Sequence, residues 1–382
     1  MKRRSPARAP RFPLSRARSS FLLPILVTIV ACGGSDGEAR AVDESALASD
    51  SAASGRAAGV SPAPGCDPDD GGVVALRDTD GDGKADVRER FGGRGGTGIA
   101  LAPGALFFAP DDRVLRFSLA AGSLEPSGSP ETVVSGLPDD RSHTAKAIAV
   151  GEDGALFVNV GSPTNSCQEQ DRETGAPGLD PCPDLRDRAG VWRFDAAAED
   201  QRQEDGERFA TGLRNTLALA VHPETGELYG LQHGRDQLHQ NWPRLFDQRE
   251  GAEKPSEIFV RIDRGDDFGW PYCYHDPELD RTVLAPEYGG DGRAAGRCAN
   301  VEQPLSGYPG HWAPMSLVFY TGESFPAEYR GGAFISFHGS WNRAPRPQAG
   351  YKVVSGLAQG PDGSLYVTDD NGGRLWRILY HG

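Results

Sequence analysis

The chain has 382 residues, with 50 glycines, 29 prolines and a formal net charge of −14 at pH 7. This acidity argues against nucleic acid and the anionic face of a membrane as partners. Almost no long stretch has helical periodicity, and the frequent glycines and prolines favour a fold built of many strands and turns.

The N-terminal 31 residues have the features of a lipoprotein signal peptide. A basic leader without acidic residues precedes the apolar run FLLPILVTIVA, which is too short to cross a bilayer. The run ends in IVAC, which resembles a bacterial lipobox and predicts lipidation of Cys32, with ordinary signal cleavage nearby as the alternative. We expect an exported lipoprotein of the outer membrane or cell surface that faces the periplasm or exterior. Its lipid anchor would be its only attachment to the membrane.

Residues 32–70 consist mainly of Ala, Ser, Gly, Asp and Pro. They contain too few large apolar side chains to order themselves, so we expect a disordered, low-complexity tether. Residues 71–382 then form the folded domain. That length is large for one domain unless the architecture is repetitive.

Five cysteines remain after the lipobox cysteine. In an oxidising compartment their spacing favours two local disulfides, Cys167 with Cys182 and Cys273 with Cys298. Zinc binding is the alternative, but the sequence lacks the C-x-x-C pairs that are typical of zinc sites. Cys66 is left over in the tether and is expected to be a free thiol.

The stretch DTDGDGKADVRE has the spacing of a calcium-binding loop, with acidic side chains at its first, third, fifth, ninth and twelfth positions. The strand-like GVVALR precedes it in place of a helix, so it predicts a structural calcium site and not a sensor. An acidic surface turn is the alternative. The predicted ligands are Asp78, Asp80, Asp82, Lys84, Asp86 and Glu89.

One hairpin plan recurs along the chain: a short apolar strand, a Gly/Pro/Asp turn and a second apolar strand. Aligned on Ile99, Ile148, Leu219, Leu317 and Leu357, the five units are 49, 71, 98 and 40 residues apart. The strand-like SEIFVRID lies in the widest gap and indicates an inferred sixth unit. Units of roughly 50 residues predict an all-β, six-bladed β-propeller whose first and last blades could be incomplete. A β-sandwich is the alternative, but it would not repeat one hairpin at this period.

In such a propeller, the residues before and after each hairpin reach the same face around the axis. Polar side chains of separate repeats would therefore converge on one axial pocket, which is the expected form of a small-molecule site. These residues are His143, Arg214, Asn215, Gln232, His233, Gly234, Arg235, Asp236, His311 and His338.

Three of these residues suggest particular chemistry. His143 is a candidate base for abstracting a hydroxyl proton, with a solvated loop histidine as the alternative. Arg214 and Asn215 present planar donors that suit carboxylate or quinone oxygens. The alternative interpretation is that these two residues only link neighbouring blades structurally.

The motifs TGLRNTLALAVHPETGELY, GRDQLHQNWP, GDDFGWPYCYHD, APMSLVFYTGESFP and DGSLYVTDDNGGRLWRI occur in this order. Through them, most of residues 75–382 resembles the PQQ-dependent soluble sugar dehydrogenases, the glucose/sorbosone and aldose sugar dehydrogenase family. The resemblance implies a six-bladed propeller that holds pyrroloquinoline quinone (PQQ) and calcium on its axial face. It implies oxidation of an aldose or related sugar, with hydride passing to the quinone and electrons to a periplasmic acceptor.

The resemblance also implies roles for individual residues. His143 matches the base, and Arg214 is expected to contribute to catalysis by stabilising charge that develops on the quinone. The backbone carbonyl oxygens of Gly234 and Arg235 are expected to bind an active-site calcium. The residues matched to cofactor binding are Arg214, Asn215, Gln232, His233, Gly234 and Arg235.

The chain departs from the family in the segment NVGSPTNSC. In glucose-oxidising members, a Gly-Asp type ending follows the hairpin that bears the base. The chain is also short after GYKVV, and the tether stands where the family has an opening strand. Two further functions therefore stay open. One is a non-catalytic propeller that binds a sugar or a protein partner, and the other is a calcium-dependent, lactonase-like hydrolase.

Overall fold

The computed structural model describes residues 71–339, 341–344, 346–347, 349–350, 356–369 and 374–380. Within residues 1–70 it describes only two short strands, β1 (Val30–Ala31) and β2 (Ala58–Gly59). The lipidation site Cys32, Cys66 and nearly all of the signal peptide and tether lie outside the described residues. In the part of the chain that is described, no helix is long and apolar enough to span a membrane.

The described domain is built almost entirely of short strands. In chain order they are β3 (Val73–Arg77), β4 (Val87–Phe91), β5 (Gly98–Ala102), β6 (Ala105–Ala109), β7 (Arg113–Ser118), β8 (Glu131–Ser135), β9 (Ile148–Val150), β10 (Ala155–Val160), β11 (Gly190–Asp195), β12 (Gln201–Arg202), β13 (Glu207–Thr211), β14 (Ala218–Val221), β15 (Leu228–Gln232), β16 (Glu257–Ile262), β17 (Cys273–Asp276), β18 (Arg281–Leu284), β19 (Ser306–Tyr308), β20 (Pro314–Phe319), β21 (Ala333–Phe337), β22 (Leu357–Gln359), β23 (Leu365–Asp369) and β24 (Arg374–Ile378).

The helices of the described residues are all short. Two are α-helices, α1 (Leu238–Asn241) and α2 (Gln248–Glu253). Single 3₁₀ turns occur at Pro183–Arg186, Gln203–Asp205, Pro286–Tyr288, Gly296–Asn300, Ala327–Tyr329 and Trp341–Arg343.

The strands form sheets that follow one another along the chain, and their pairs are antiparallel except that β12 pairs with β8 in parallel. Four of the described sheets have four or five strands, in the orders β12-β8-β7-β6-β5, β13-β11-β10-β9, β14-β15-β16-β19 and β2-β24-β23-β22. Three are smaller, namely β1-β3-β4, β17-β18 and β20-β21. Strands β5, β9, β14, β20 and β22 contact one another in this order, so the first strand of each repeat faces the first strand of the next. This is the radial arrangement of a β-propeller, and the predicted all-β propeller is confirmed.

The repeat alignment made from the sequence coincides with these inner strands. Each of the five aligned residues lies in the first strand of its hairpin: Ile99 in β5, Ile148 in β9, Leu219 in β14, Leu317 in β20 and Leu357 in β22. The position of the inferred sixth unit is wrong. The strand of SEIFVRID is β16, and its backbone pairs with β15 as the third strand of an existing sheet. The gap is wide because α1, α2 and the hairpin β17–β18 are inserted there.

Hydrophobic side chains fill the space between consecutive sheets. Because successive residues of a strand point to opposite faces, each central strand can pack on both neighbouring sheets. Burying these apolar surfaces is the main source of stability in such a stack. Pairs that share a cluster across neighbouring sheets are Val73 with Phe108, Phe107 with Val158, Phe157 with Val260, Leu231 with Leu317, and Tyr320 with Leu365.

Both predicted disulfides are present. Cys167 is bonded to Cys182 across the long loop that follows β10, and Cys273 in β17 is bonded to Cys298. The first disulfide closes a loop that also contributes to the candidate site.

Candidate functional site

The two ends of the β14–β15 hairpin lie side by side at one rim, as the hairpin plan predicts. The backbone N–H of His233, after β15, donates to the carbonyl of Asn215, before β14, at 2.8 Å. The backbone N–H of Arg214 donates to Oε1 of Gln232 at 2.7 Å. The polar residues at both ends of the hairpin therefore lie close together at this rim.

His143 reaches this rim from the loop that precedes β9. Its Nδ1 lies 2.6 Å from the carbonyl oxygen of Ser162. Because a carbonyl can only accept, Nδ1 carries the proton and Nε2 keeps a free lone pair. Burial, together with the positive charge of Arg214, lowers the pKa of His143 to about 3. The imidazole is therefore neutral at physiological pH and can accept a proton at Nε2.

The loop that carries His143 is tied at its base by Lys146. The Lys146 side chain is fully buried, and its Nζ donates to the carbonyl of Pro138 at 2.7 Å and also to that of Thr144. Burial lowers the pKa of Lys146 to about 8. Ordering these carbonyls helps to fix the backbone of His143, which has a left-handed φ of 57°.

The Arg214 guanidinium is buried and already makes most of the hydrogen bonds it can. Nε donates to the carbonyl of Asn165 at 3.1 Å, and Nη1 donates to the carbonyl of Gly234 at 2.9 Å. Nη2 donates to Oδ1 of Asn165 and to Oδ2 of Asp236, both at 3.0 Å. Four of its five N–H groups thus have partners, and one N–H of Nη1 has none among the described residues.

Asp236 joins several elements around the site. One carboxylate oxygen accepts from Arg172 and from Arg214, both at 3.0 Å. The other accepts from Nδ2 of Asn342 at 2.6 Å and lies 3.8 Å from Nδ1 of His311. Burial alone would raise the pKa of Asp236, but the two guanidinium groups hold it well below its usual range. Asp236 is therefore a permanent anion beside the Arg214 cation.

Asn215 is oriented by Asn159, which is itself fully buried in β10. Nδ2 of Asn159 donates to Oδ1 of Asn215 at 3.2 Å, which leaves the amide N–H groups of Asn215 available. A side chain at Gly161 would place its Cβ only 2.6 Å from the Cβ and the carbonyl oxygen of His143. Glycine at this position therefore allows His143 to pack closely against the end of β10.

Residues 159–165, named here the supporting segment, contact three of the residues singled out from the sequence. The contacts are Asn159 with Asn215, Ser162 with His143, and Asn165 with Arg214. This segment belongs to NVGSPTNSC, the stretch in which a departure from the resembled family is expected from the sequence. The departure thus lies at residues that hold the site together.

The other rim histidines are held by backbone carbonyls. Nε2 of His233 donates to the carbonyl of Pro314 at 2.7 Å, and burial lowers the pKa of His233 to about 4. Nε2 of His311 lies 3.0 Å from the carbonyl of Gly251. His338 is close enough to lower the pKa of His233 further. The structure thus brings several imidazoles to the rim, as the sequence predicted.

The side chain of Arg235 does not join that of Arg214. It forms a buried ion pair with Glu287, and its Nη2 donates to Oδ1 of Asn241 at 3.2 Å. Both side chains of the ion pair are almost completely excluded from solvent. Any contact of Arg235 with a ligand at the rim would therefore involve its backbone.

Glu257 is a buried carboxyl group beneath the rim that sequence reasoning missed. Its Oε2 accepts from the backbone N–H of Gly234 at 2.8 Å, and its Oε1 lies 3.5 Å from the N–H of Ala313. Burial raises the pKa of Glu257 to about 7, and the negative charge of Asp236 adds to this effect. In the sequence, the one signal that could have pointed to Glu257 is its position at the start of an apolar strand.

Other residues of the site were also missed by sequence reasoning. They lie in loops or at strand ends, and only their contacts in the structure show that they belong to the site. They are Asn159, Ser162, Asn165 and Arg172.

The predicted calcium loop lies between β3 and β4, and the structure brings part of its ligand set together. Carboxylate oxygens of Asp78, Asp80 and Asp82 lie within 4.8 Å of one another. The N–H groups of Gly81 and Gly83 donate to Asp78 at 2.7 and 2.9 Å, as in a tight turn. These three carboxylates form a candidate cation site.

The other two predicted carboxylate ligands, Asp86 and Glu89, are not in this cluster. Asp86 accepts from the backbone N–H of Thr79 at 3.1 Å, and Glu89 lies within β4. The N–H of Lys84 donates to Asp82 at 2.8 Å.

The fold and the site thus define a β-propeller with a buried, charged and imidazole-rich site at its axial rim. Residues 72–356 match the family model described as TrAA12-like. This match covers more than half of the chain, and the chain belongs to the TrAA12-like family.

Similar proteins include one curated relative, an uncharacterized protein of Borreliella burgdorferi. It is 27% identical over 203 residues, which are 45% of this chain and 48% of the relative. The chain therefore spans about half the length of that relative.

Solved structures show the same fold. The calcium structure of the Trichoderma reesei family AA12 enzyme has a TM-score of 0.63 at 16% identity, covering 83% of this chain and 89% of that one. The holo PQQ domain of Coprinopsis cinerea pyranose dehydrogenase has a TM-score of 0.64 at 17% identity, covering 81% and 88%. The apo soluble aldose sugar dehydrogenase of Escherichia coli has a TM-score of 0.51 at 16% identity, covering 82% and 93%. The resemblance to PQQ-dependent sugar dehydrogenases inferred from the sequence is confirmed.

Proposed function

We propose that this protein is a PQQ-dependent dehydrogenase that oxidises an aldose or a related sugar at its axial rim and passes electrons to a periplasmic acceptor. Family membership and the shared fold support this proposal. The observation that carries it is the state of His143: a neutral imidazole with Nδ1 fixed on the Ser162 carbonyl at 2.6 Å and Nε2 free. A general base for a sugar hydroxyl needs this protonation state.

The polar groups left over at the rim suit PQQ, which is rich in acceptor oxygens. One N–H of Arg214 Nη1 has no recorded partner among the described residues. Asn215 and Gln232 each use the amide oxygen within the protein, which leaves their amide N–H groups as donors. Donors that are positioned before a ligand arrives cost little reorganisation on binding.

In the proposed mechanism, Nε2 of His143 accepts the proton of the substrate hydroxyl. The Ser162 carbonyl keeps the imidazole in the required tautomer and orientation. Arg214 and Asn215 bind and orient the acceptor oxygens of the ligand. Bound PQQ would supply the acceptor for the substrate hydride. The buried environment excludes water from these groups and strengthens their electrostatic interactions.

An active-site calcium is part of the proposal, with the carbonyl oxygens of Gly234 and Arg235 as its protein ligands. Nη1 of Arg214 already donates to the Gly234 carbonyl at 2.9 Å. A carbonyl oxygen has two lone pairs, so calcium would share this oxygen with the guanidinium. The nearby carboxylate of Asp236 would offset the added positive charge.

The experiment that tests the proposed function is reconstitution of activity. The purified protein is incubated with PQQ and calcium, and dye-linked oxidation is measured with a panel of aldoses. The proposal expects turnover that requires PQQ. Absence of turnover, in a protein that binds a sugar at the same rim, would support the second candidate.

The second candidate is a non-catalytic propeller that binds a sugar or a protein partner. One observation favours it, namely the engagement of four N–H groups of Arg214 within the protein. An arginine that only links neighbouring blades structurally would have its N–H groups bonded within the protein in the same way.

We further propose six blades. The first, built on β3 and β4, would be incomplete as expected, and the second incomplete blade would be β20-β21 instead of the last sheet, which has four described strands. Burial opposes the charge of Arg377 in β24, but its hydrogen bond with Asp362 raises its pKa, and the negative charge of Asp78, beside β3, makes a small further contribution in the same direction. The side chains of Asp78 and Arg377 are thus close enough to interact electrostatically. This supports a ring in which the last sheet closes against the first.

Export and anchoring belong to the same proposal. A lipid on Cys32 would hold the enzyme at a membrane facing the periplasm or exterior, where periplasmic electron acceptors are found. Cys32→Ser should release the protein from membranes or leave it as the precursor. Unchanged membrane attachment of a mature Cys32→Ser protein would exclude this anchor.

A further inference from the structure

Asn165 connects two charged residues of the rim through its side chain. Its Oδ1 accepts from Nη2 of Arg214 at 3.0 Å and from the backbone N–H of Asp236 at 2.8 Å. Its Nδ2 donates to the backbone carbonyl of Asp236 at 3.0 Å. One buried amide therefore fixes both the guanidinium and the backbone that carries its counter-ion.

Asn165 is itself firmly held. Its backbone N–H donates to Asp171 at 2.9 Å, and its carbonyl accepts from Nε1 of Trp270 at 3.1 Å. Two residues further along the loop, Cys167 is bonded to Cys182. The position of Asn165 is thus set by its backbone partners and by the nearby disulfide.

The side chain of Thr164 adds to this anchoring. Its hydroxyl accepts from the N–H of Cys167 at 3.0 Å and donates to Asp184 at 2.6 Å. Asp184 lies in the 3₁₀ turn that follows Cys182. The loop is therefore tied on both sides of the disulfide.

We propose that Asn165 is a positioning residue that sets the direction of the Arg214 guanidinium, and thereby the remaining Nη1–H that faces a ligand. This inference rests on the proposed function only for the identity of that ligand. Without the amide, Nη2 of Arg214 and the N–H of Asp236 lose a shared acceptor, and the Asp236 carbonyl loses a donor. The guanidinium then keeps only its bonds to the backbone carbonyls of Asn165 and Gly234 and to the Asp236 carboxylate, so it is held less tightly and its free N–H changes direction.

The test compares Asn165→Ala with a matched control, Gln168→Ala. Gln168 is a buried amide of the same loop whose hydrogen bonds go to Glu173, Ala176, Arg172 and Ser166. It has no recorded bond to Arg214 or Asp236. Both variants lose several buried hydrogen bonds, so we expect similar losses in Tm. Only Asn165→Ala should also weaken PQQ binding, by about tenfold or more, the usual effect of displacing one charge-assisted hydrogen bond.

A second measurement needs no quinone. In the calcium-loaded protein without PQQ, amide hydrogen exchange at Asp236 should be much faster in Asn165→Ala than in Gln168→Ala, because Asn165 is the acceptor of that N–H. The proposal is overturned if exchange at Asp236 is the same in both variants. It is also overturned if both variants bind PQQ equally. Should the wild type bind no PQQ, the proposed function fails, and the exchange measurement alone decides the role of Asn165.

Discussion

Nδ1 of His143 lies 2.6 Å from the backbone carbonyl of Ser162, and among the described residues it has no carboxylate as a hydrogen-bond partner. A neutral carbonyl fixes the tautomer as firmly as a carboxylate would, but it stabilises an imidazolium less. Burial therefore dominates, and the pKa of His143 falls to about 3. The imidazole is therefore unprotonated at neutral pH, and it releases an accepted proton readily.

Replacing His143 with alanine should lower kcat by roughly 10²–10⁴, the usual contribution of a general base. PQQ affinity should change little, because His143 contributes a lone pair and not a donor to the rim. Steady-state kinetics and a PQQ titration of the same preparation check both parts. A variant with undiminished kcat would remove His143 from the mechanism.

The pH dependence of kcat/KM provides a separate check on His143. Its pKa of about 3, below the ordinary 6.5, means that the base form persists through neutral and mildly acidic pH. We expect no loss of kcat/KM near pH 6.5 that can be assigned to this residue. An acidic limb near pH 6.5 that changes in His143→Gln would contradict the buried, neutral imidazole.

Glu257 should make the protein less stable as the pH rises. Its pKa is about 7 in the folded protein, against 4.5 for an ordinary glutamate. The folded state therefore binds the proton more tightly, and the stabilisation present below pH 4.5 is lost progressively up to about pH 7. Glu257→Gln mimics the protonated group, so its free energy of unfolding at pH 8 should exceed that of the wild type by on the order of 1–3 kcal/mol.

Denaturant unfolding at pH 5 and pH 8 measures this difference. Glu328→Gln is a suitable control, because Glu328 is exposed. An equal response of both variants to pH would show that Glu257 is not the group responsible.

The two disulfides should differ in their effect on the site. Removing either by a double alanine substitution should cost about 2–4 kcal/mol of stability. Only Cys167→Ala with Cys182→Ala should also weaken PQQ binding, because that disulfide lies two residues from Asn165. Cys273→Ala with Cys298→Ala is the matched control. Unfolding curves and PQQ titrations of the two variants give the comparison, and equal effects on PQQ affinity would count against the role of the supporting segment.

Calcium should stabilise the loop between β3 and β4. An ion that binds only the folded state, at a free concentration one hundred times its Kd, raises the free energy of unfolding by about 2.7 kcal/mol. Chelation with EGTA should lower Tm by several degrees, and Asp80→Ala with Asp82→Ala should remove most of that response. A full EGTA response in the double variant would place the stabilising calcium elsewhere.

The sequence was sufficient for the propeller and for much of the rim, for identifiable physical reasons. Strand alternation and turn residues repeat with each hairpin, so Ile99, Ile148, Leu219 and their equivalents could be aligned without a structure. An antiparallel hairpin returns to its starting point, which placed Arg214 beside Gln232.

The contacts that decide the chemistry could not be predicted in this way. Asn165 and Arg214 are 49 positions apart in the sequence, and the paired residues Arg235 and Glu287 are 52 positions apart. Such pairings depend on how loops of different repeats pack, and no local pattern encodes them. The strand β16 was misplaced for the same reason, because a strand's pattern does not show which neighbour it pairs with.

The most direct test of the central claim is an equilibrium titration of PQQ into the calcium-loaded protein, followed by quinone absorbance. The account predicts one saturable site, with the affinity lowered about tenfold or more in Arg214→Ala because a charge-assisted donor is lost. Asn215→Ala keeps the test decisive if the buried Arg214 variant fails to fold. The account is contradicted if the folded wild type shows no saturable binding, or if it binds PQQ with an affinity that neither substitution changes.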